Sequence, residues 1–287
     1  MSMNKIGAFV RIVRPVNCIM MGFAVIVGAA LVRAAHISSV HVLPNLLAGF
    51  LTGFFLTAGS MVINDVIDRG IDAINEPNRP IPSGKISLRQ AQAFAVLLTA
   101  LGFGLALILS WQCLIIAIFS WFVFTAYSLW GKRSGFLGNL LVSICVVIPF
   151  VYGGFVISKG FAEASSIFVS LAFLANTGRE VTKGIADVEG DKLKGIRTLA
   201  VSFGRPVAGE VAVVFYLSAV VLSVLPWKLD LVSFWFVPFV LVTDTGLVAS
   251  SFWLLKDLSR ENAKRIKNVV LIWFVVGLIA FLAGTIG

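Results

Sequence analysis

Charge is what this 287-residue chain has least of: 13% of its residues are Asp, Glu, Lys or Arg, against about 25% in typical soluble domains. Cysteine occurs three times and histidine twice. So little charge, beside so much apolar content, excludes a soluble enzyme and a disordered chain, and three cysteines exclude a disulfide scaffold. Cys18, Cys113 and Cys145 lie inside apolar stretches without metal-type spacing and read as small core hydrophobes. What the chain does have is apolar mass: 59% of it is hydrophobic and its mean hydropathy is +0.98. That mass comes in runs near the ~20 residues a helix needs to span a bilayer. The class is all-α, a polytopic membrane protein.

The net charge of +9 invites a nucleic-acid partner, but its distribution points to basic cytoplasmic loops instead. Nine apolar segments mark the spans, at about 16–35, 43–67, 88–109, 112–130, 136–157, 163–186, 206–226, 231–255 and 267–286. The third and fourth form one run too long for a single span, divided near Ser110–Gln112. The first, led by Lys5, Arg11 and Arg14, is as long as a full span and has many others behind it, which argues against a cleaved signal. With the N-terminus cytoplasmic and the C-terminus outside, all but Arg33, Lys159 and Lys228 of the 23 Lys and Arg fall on or beside the cytoplasmic side.

Two cytoplasmic connections stand out by length, at about 68–87 and 187–205. The first carries Pro77, Pro80, Pro82 and Gly84, which plain helix does not tolerate. It ends in Ser87-Leu88-Arg89-Gln90, a capping box that starts the next helix. Each connection opens with carboxylates four apart, Asp68 and Asp72, then Asp187 and Asp191, at an offset of 119 residues. This reads as a weak internal repeat within a single domain over 1–287: spans 1–4, spans 5–8, then span 9. Repeats of this kind often place a site at their interface.

Asn64, Asp68 and Asp72 are spaced i, i+4, i+8, which puts an amide and two carboxylates along one helical stripe. Arg179 and Lys183 extend the stripe of Asp187 and Asp191 upstream at the same spacing. Two oxygen-rich clusters on one membrane face, with no His or Cys beside them, favour Mg²⁺ over zinc or copper. Asp65 and Glu189 can each substitute for a neighbour as ligand. Arg79, Lys85, Lys132, Arg133, Arg179 and Lys183 lie on the same side, and metal with cations suits a leaving diphosphate. An apolar tail on that diphosphate would lie between the spans, which implies ionisation of a prenyl diphosphate. A cation-coupled transporter is the rival from another class, but it predicts carboxylates near the midplane, where only Asp244 lies. A buried Asp244 should be partnered or protonated.

Arg14-Pro15-Val16-Asn17, the Asn64–Asp72 motif, Asn78–Gly84, Tyr127-Ser128 with Lys132, and Asp187–Asp191 together resemble the UbiA family of intramembrane prenyltransferases. The resemblance covers essentially the whole chain. It implies nine helices around a central cavity, capped by the two cytoplasmic loops. It also implies roles: Asn64, Asp68, Asp187 and Asp191 would hold Mg²⁺ on the diphosphate, with Asp72 supporting. Tyr127, Ser128 and Lys132 would meet the diphosphate or the allylic cation. Arg14, Asn17, Arg79, Arg179 and Lys183 are the remaining substrate contacts. Within the family, Gly178-Arg179-Glu180 through Asp191 is most similar to the archaeal ether-lipid branch. That implies geranylgeranyl diphosphate as donor and geranylgeranylglyceryl phosphate as acceptor. An aromatic acceptor, 4-hydroxybenzoate or a naphthoate in quinone synthesis, is the alternative, because both acceptors are anionic.

Overall fold

A backbone surrounded by hydrocarbon must satisfy every N–H and C=O within its own segment, so long apolar runs become helices. The computed structural model describes residues 5–32, 42–131, 134–158, 160, 163–193 and 195–286. The expected site residue Lys132 lies outside the described residues. The helices are α1 (Lys5–Val13), α2 (Pro15–Leu31), α3 (Val42–Asn75), α4 (Leu88–Leu109), α5 (Trp111–Leu129) and α6 (Phe136–Ser158). They continue with α7 (Glu163–Ala186), α8 (Val188–Leu193), α9 (Leu199–Leu222), α10 (Leu225–Lys228), α11 (Phe236–Lys256) and α12 (Arg260–Ala283). No strand occurs among the described residues.

Seven of these helices are long and apolar enough to cross a membrane, and the α1–α2 pair, bent by 44°, makes an eighth candidate. The expected span 163–186 is present as the 24-residue α7 but falls short on apolarity, because it carries Arg179, Glu180 and Lys183.

Caps behave as the sequence predicts. Ser87 and Gln90 form the capping box of α4. Ser110, in extended backbone, ends α4 and caps α5 by accepting a 3.1 Å hydrogen bond from the Cys113 amide. Span ends differ where charge is helical. Helix α3 runs on through Asn75, so the first connection is 76–87 and the whole motif from Asn64 to Asp72 is helical. The second connection holds the short α8. After it, α9 begins at Leu199 and is interrupted at Gly204, whose φ of 89° precedes Arg205-Pro206. Helix α12 begins at Arg260, capped by Ser259 through the Asn262 amide. Hydropathy marks only the apolar middle of each helix, so charged helical ends escape it.

Packing divides into clusters. Helices α1, α3 and α4 bury Ile12, Val62 and Leu98 together, while α2, α6, α7, α9 and α12 surround Phe150, Phe168 and Phe281. Phe168 and Phe281 meet edge-on at 4.4 Å. Within the second group α2 crosses α6. Gly28 and Gly153 face the partner backbone there so closely that a Cβ on either would collide with the carbonyl of Phe150 or Val25. Both glycines thus permit the close approach of the two helices. Buried Cys18 and Cys113 and half-buried Cys145 are free thiols.

Candidate active site

The first motif lies on α3, and 100° per residue decides what each member faces. Asn64 and Asp68 remain neighbours, with the Asn64 amide donating to Asp68 Oδ2 at 3.0 Å. The i, i+4 stripe drifts by about 40° per step, so Asp72 comes to within about 20° of Asp65. The structure follows that drift. Asp65 and Asp72 are both buried, and both are engaged by arginine. Arg14 reaches Asp65 at 2.7 Å, while Arg79 reaches Asp72 at 2.7 Å and Asp65 at 3.5 Å. A chain of alternating charge thus binds the start of α2 and the connection after α3 to the motif. Arg14 occupies left-handed backbone, φ 53°, at the α1–α2 bend, a strained conformation for a residue with a Cβ.

The second motif straddles the end of α7. Asp187 is the break between α7 and α8, yet its amide still donates to the Lys183 carbonyl and its carbonyl accepts from the Asp191 amide. The helical succession expected for Arg179, Lys183, Asp187 and Asp191 therefore continues across the break. Glu180 is buried among them and accepts from Arg179 at 3.0 Å and from Lys183 at 3.1 Å. Arg179 also donates to the Lys267 carbonyl of α12 at 3.2 Å. Beneath, Asn176 and Thr177 donate to Ser143 of α6 at 3.1 and 2.8 Å. Thr182 and Tyr216 share a buried contact of 3.0 Å. Polar contacts at this depth hold α7 against α6 and α9 in one register.

Tyr127 of α5 lies within electrostatic reach of Lys183, Glu180 and Asp68. Next to it, Ser128 is buried and its hydroxyl has no protein partner among the described residues. Asn17 is exposed on α2, and its backbone amide donates to the Arg14 carbonyl at 2.9 Å.

The donor set suits a hard cation. Each motif offers two oxygen-bearing side chains, Asn64 with Asp68 and Asp187 with Asp191. Magnesium is commonly held by one or two carboxylates together with substrate phosphates. Among the described residues, no three His, Cys, Asp or Glu side chains converge on one metal position, so the protein's share of such a site would be completed by substrate oxygens.

Two cavities lie under the motifs. One, of about 460 Å³, is bounded by α2, α3, α5 and α6, with Ser60, Ser120, Trp121 and Tyr152 in its wall. Ser60 is one turn from Asn64. The other, of about 830 Å³, is apolar and has Ala175, one turn from Arg179, in its wall. Phe150 and Asp244 also line it. Asp244 is partnered as expected, meeting Ser223 Oγ at 2.7 Å.

Sequence reading missed three groups: Asp65 as the anchor of two arginines, Glu180 as the partner of Arg179 and Lys183, and Lys267. The i, i+7 relation of Asp65 to Asp72 was an available signal for the first. Lys267 has none, since 84 residues separate it from Lys183.

The digeranylgeranylglyceryl phosphate synthase of Methanopyrus kandleri is 37% identical to this chain over 277 residues, covering 96% of this chain and 98% of its own. The Archaeoglobus fulgidus protein of the same name is 36% identical over 272 residues, covering 93% and 91%. A solved structure concerned with digeranylgeranylglyceryl phosphate synthase in membranes superposes with a TM-score of 0.79 at 30% identity, covering 98% of this chain and 99% of the other. A UbiA homolog from Archaeoglobus fulgidus bound to DMAPP and Mg²⁺ shares the fold, with a TM-score of 0.70 at 18% identity over 95% and 98% of the two chains. The profile of the UbiA prenyltransferase family matches residues 21–284. By that match and these relatives, the chain belongs to the UbiA prenyltransferase family.

Proposed function

We propose that this protein transfers a geranylgeranyl group from geranylgeranyl diphosphate to the hydroxyl of geranylgeranylglyceryl phosphate, releasing diphosphate, as a step in archaeal ether-lipid synthesis. The observation that carries the chemistry is that Asp68, hydrogen-bonded to Asn64, and Lys183 both lie within electrostatic reach of Tyr127. The choice of substrates is supported by the near-full-length relatives named for that product.

Asn64, Asp68, Asp187 and Asp191 would hold Mg²⁺, which when bound neutralises charge on the leaving diphosphate. Lys183, kept in place by Glu180, and Arg179 add fixed positive charge where diphosphate charge develops. Asp72 acts through Arg79, which it orients towards the same group. The donor C1–O bond breaks and its electron pair leaves with the diphosphate. The allylic cation is then flanked by Tyr127 and Ser128, with Lys132 as a further contact. The acceptor hydroxyl oxygen attacks C1, the ether bond forms, and the hydroxyl proton passes to diphosphate.

The site belongs on the cytoplasmic face of a cell-membrane protein of nine spans around a central cavity, capped by connections 76–87 and 187–198. The N-terminus is cytoplasmic and the C-terminus outside. One domain with two related four-span halves accounts for the paired motifs.

The test is a product assay on purified protein in detergent with Mg²⁺ and geranylgeranyl diphosphate. Geranylgeranylglyceryl phosphate and 4-hydroxybenzoate are offered in parallel and products are read by mass spectrometry. Ether product with the lipid acceptor alone is expected. Ring-prenylated product would overturn the acceptor.

A further inference from the structure

Two sets of cations beside the motifs differ in how they are occupied. Around the first motif, Arg14 and Arg79 are matched by buried Asp65 and Asp72. Around the second, Arg179, Lys183, Lys264 and Lys267 share one neighbourhood with Glu180 and Asp187. Glu180 is already committed to Arg179 and Lys183. The cytoplasmic end of α12 therefore contributes positive charge in excess of its acidic neighbours, next to the motif and outside it.

The remainder of α12 continues from that charge. On a helix, positions 260, 264, 267, 274, 278 and 281 fall within an arc of about 100°. Read in order, this single face is Arg260, Lys264 and Lys267, then Phe274, Leu278 and Phe281. Exposure falls along it, from the exposed Arg260 and Lys264 through the half-buried Lys267 to the buried Phe281. The last three side chains line the apolar cavity. At 1.5 Å per residue, Lys267 and Phe281 are roughly 21 Å apart along the axis. A C20 prenyl chain with C–C bonds near 1.5 Å extends to roughly 20 Å.

We propose that Lys267 binds the phosphate of the lipid acceptor and that the acceptor's isoprenoid chain lies along α12 in this cavity. This leaves the Asn64–Asp68 side for the donor diphosphate. The assignment rests on the proposed transfer to a phosphorylated lipid. It makes Lys267 a specificity-determining residue, because a phosphate on a long chain uses both ends of the α12 face, whereas a small aromatic acid uses neither in full.

The experiment is steady-state kinetics in detergent, with acceptor and donor varied separately, on the wild type and on Lys267→Met, Lys267→Arg and Leu278→Trp. Loss of one charge-assisted phosphate contact should raise the acceptor KM about tenfold or more, with the donor KM within about twofold. Lys267→Arg should recover most of the loss. Leu278→Trp, which fills the cavity without touching a charge, should raise the acceptor KM too, and it carries the test if Lys267→Met does not fold. An unchanged acceptor KM in folded Lys267→Met, or a rise confined to the donor KM, overturns the inference. Absence of ether product in the wild type is instead a failure of the proposed reaction. In that case titration of geranylgeranylglyceryl phosphate without donor still decides the Lys267 site: weaker binding to Lys267→Met upholds it, and equal binding removes it.

Discussion

Replacing Asp65 by alanine should separate support from catalysis inside one motif. Asp65 is 4% exposed and is touched by Arg14 at 2.7 Å and by Arg79 at 3.5 Å. Removing one partner from a buried ion pair costs about 3–5 kcal/mol, because the remaining charge is left uncompensated. Here the two arginines are 36% and 29% exposed at the side chain, and Arg79 keeps Asp72. Water and that second carboxylate recover part of the loss, which leaves about 2–3 kcal/mol. For a chain of this size that is a fall in Tm of roughly 4–9 °C, taking about 2–3 °C per kcal/mol. The assay is thermal unfolding in detergent of Asp65→Ala beside Asp68→Ala, with a cycle pairing Asp65→Ala with Arg14→Met. Asp65→Ala should unfold early and couple to Arg14 by about 1 kcal/mol or more, while Asp68→Ala should unfold near the wild-type temperature. If Asp65→Ala unfolds with the wild type, or the Arg14 cycle gives no coupling, the charge chain has no structural role and the reasoning fails.

Alanine at Asp68 or Asp191 should cut turnover by at least about 10³-fold, the scale of removing electrostatic stabilisation of a transition state, and retained turnover in a single-turnover assay would sink the metal assignment. Chelation of Mg²⁺ should abolish product formation and readdition restore it, read by mass spectrometry, with Tm measured alongside as the control for unfolding. Gly28→Ala or Gly153→Ala should destabilise by about 1–3 kcal/mol through overpacking at the α2–α6 crossing, seen as a lower Tm. Ser110→Ala should cost about 1 kcal/mol by removing the cap of α5, with little effect on acceptor or donor KM.

How far the site could be read along the chain depended on the range of the interaction involved. The break at Ser110 was legible because a cap is local: one hydroxyl, one amide three residues on. The capping box at Ser87 was legible for the same reason. Membership of Asn64 and Asp68 in one group was legible because i and i+4 are neighbours on any helix. The same rule put Asp72 on that face without showing that the drift of about 40° per step also brings it beside Asp65. The ends of α3 and α12 were missed because hydropathy sees apolar middles, and both helices continue into charged residues that water solvates without breaking them.

Composition and spacing were enough to determine an all-helical membrane chain, the two acidic motifs and the residue types that suit a diphosphate with Mg²⁺. All of these depend on contacts within a turn or two, or on the solvent the chain must face. Which carboxylates are taken up by arginine was decided only when α2 and the connection after α3 came together on one face. The approach of Lys267 to Arg179 was likewise settled by α12 packing against α7, and so was the enclosure of an apolar cavity beneath them. Charges brought together from distant parts of the chain acquire their roles from distances of about 3 Å, and only the packed bundle sets those distances.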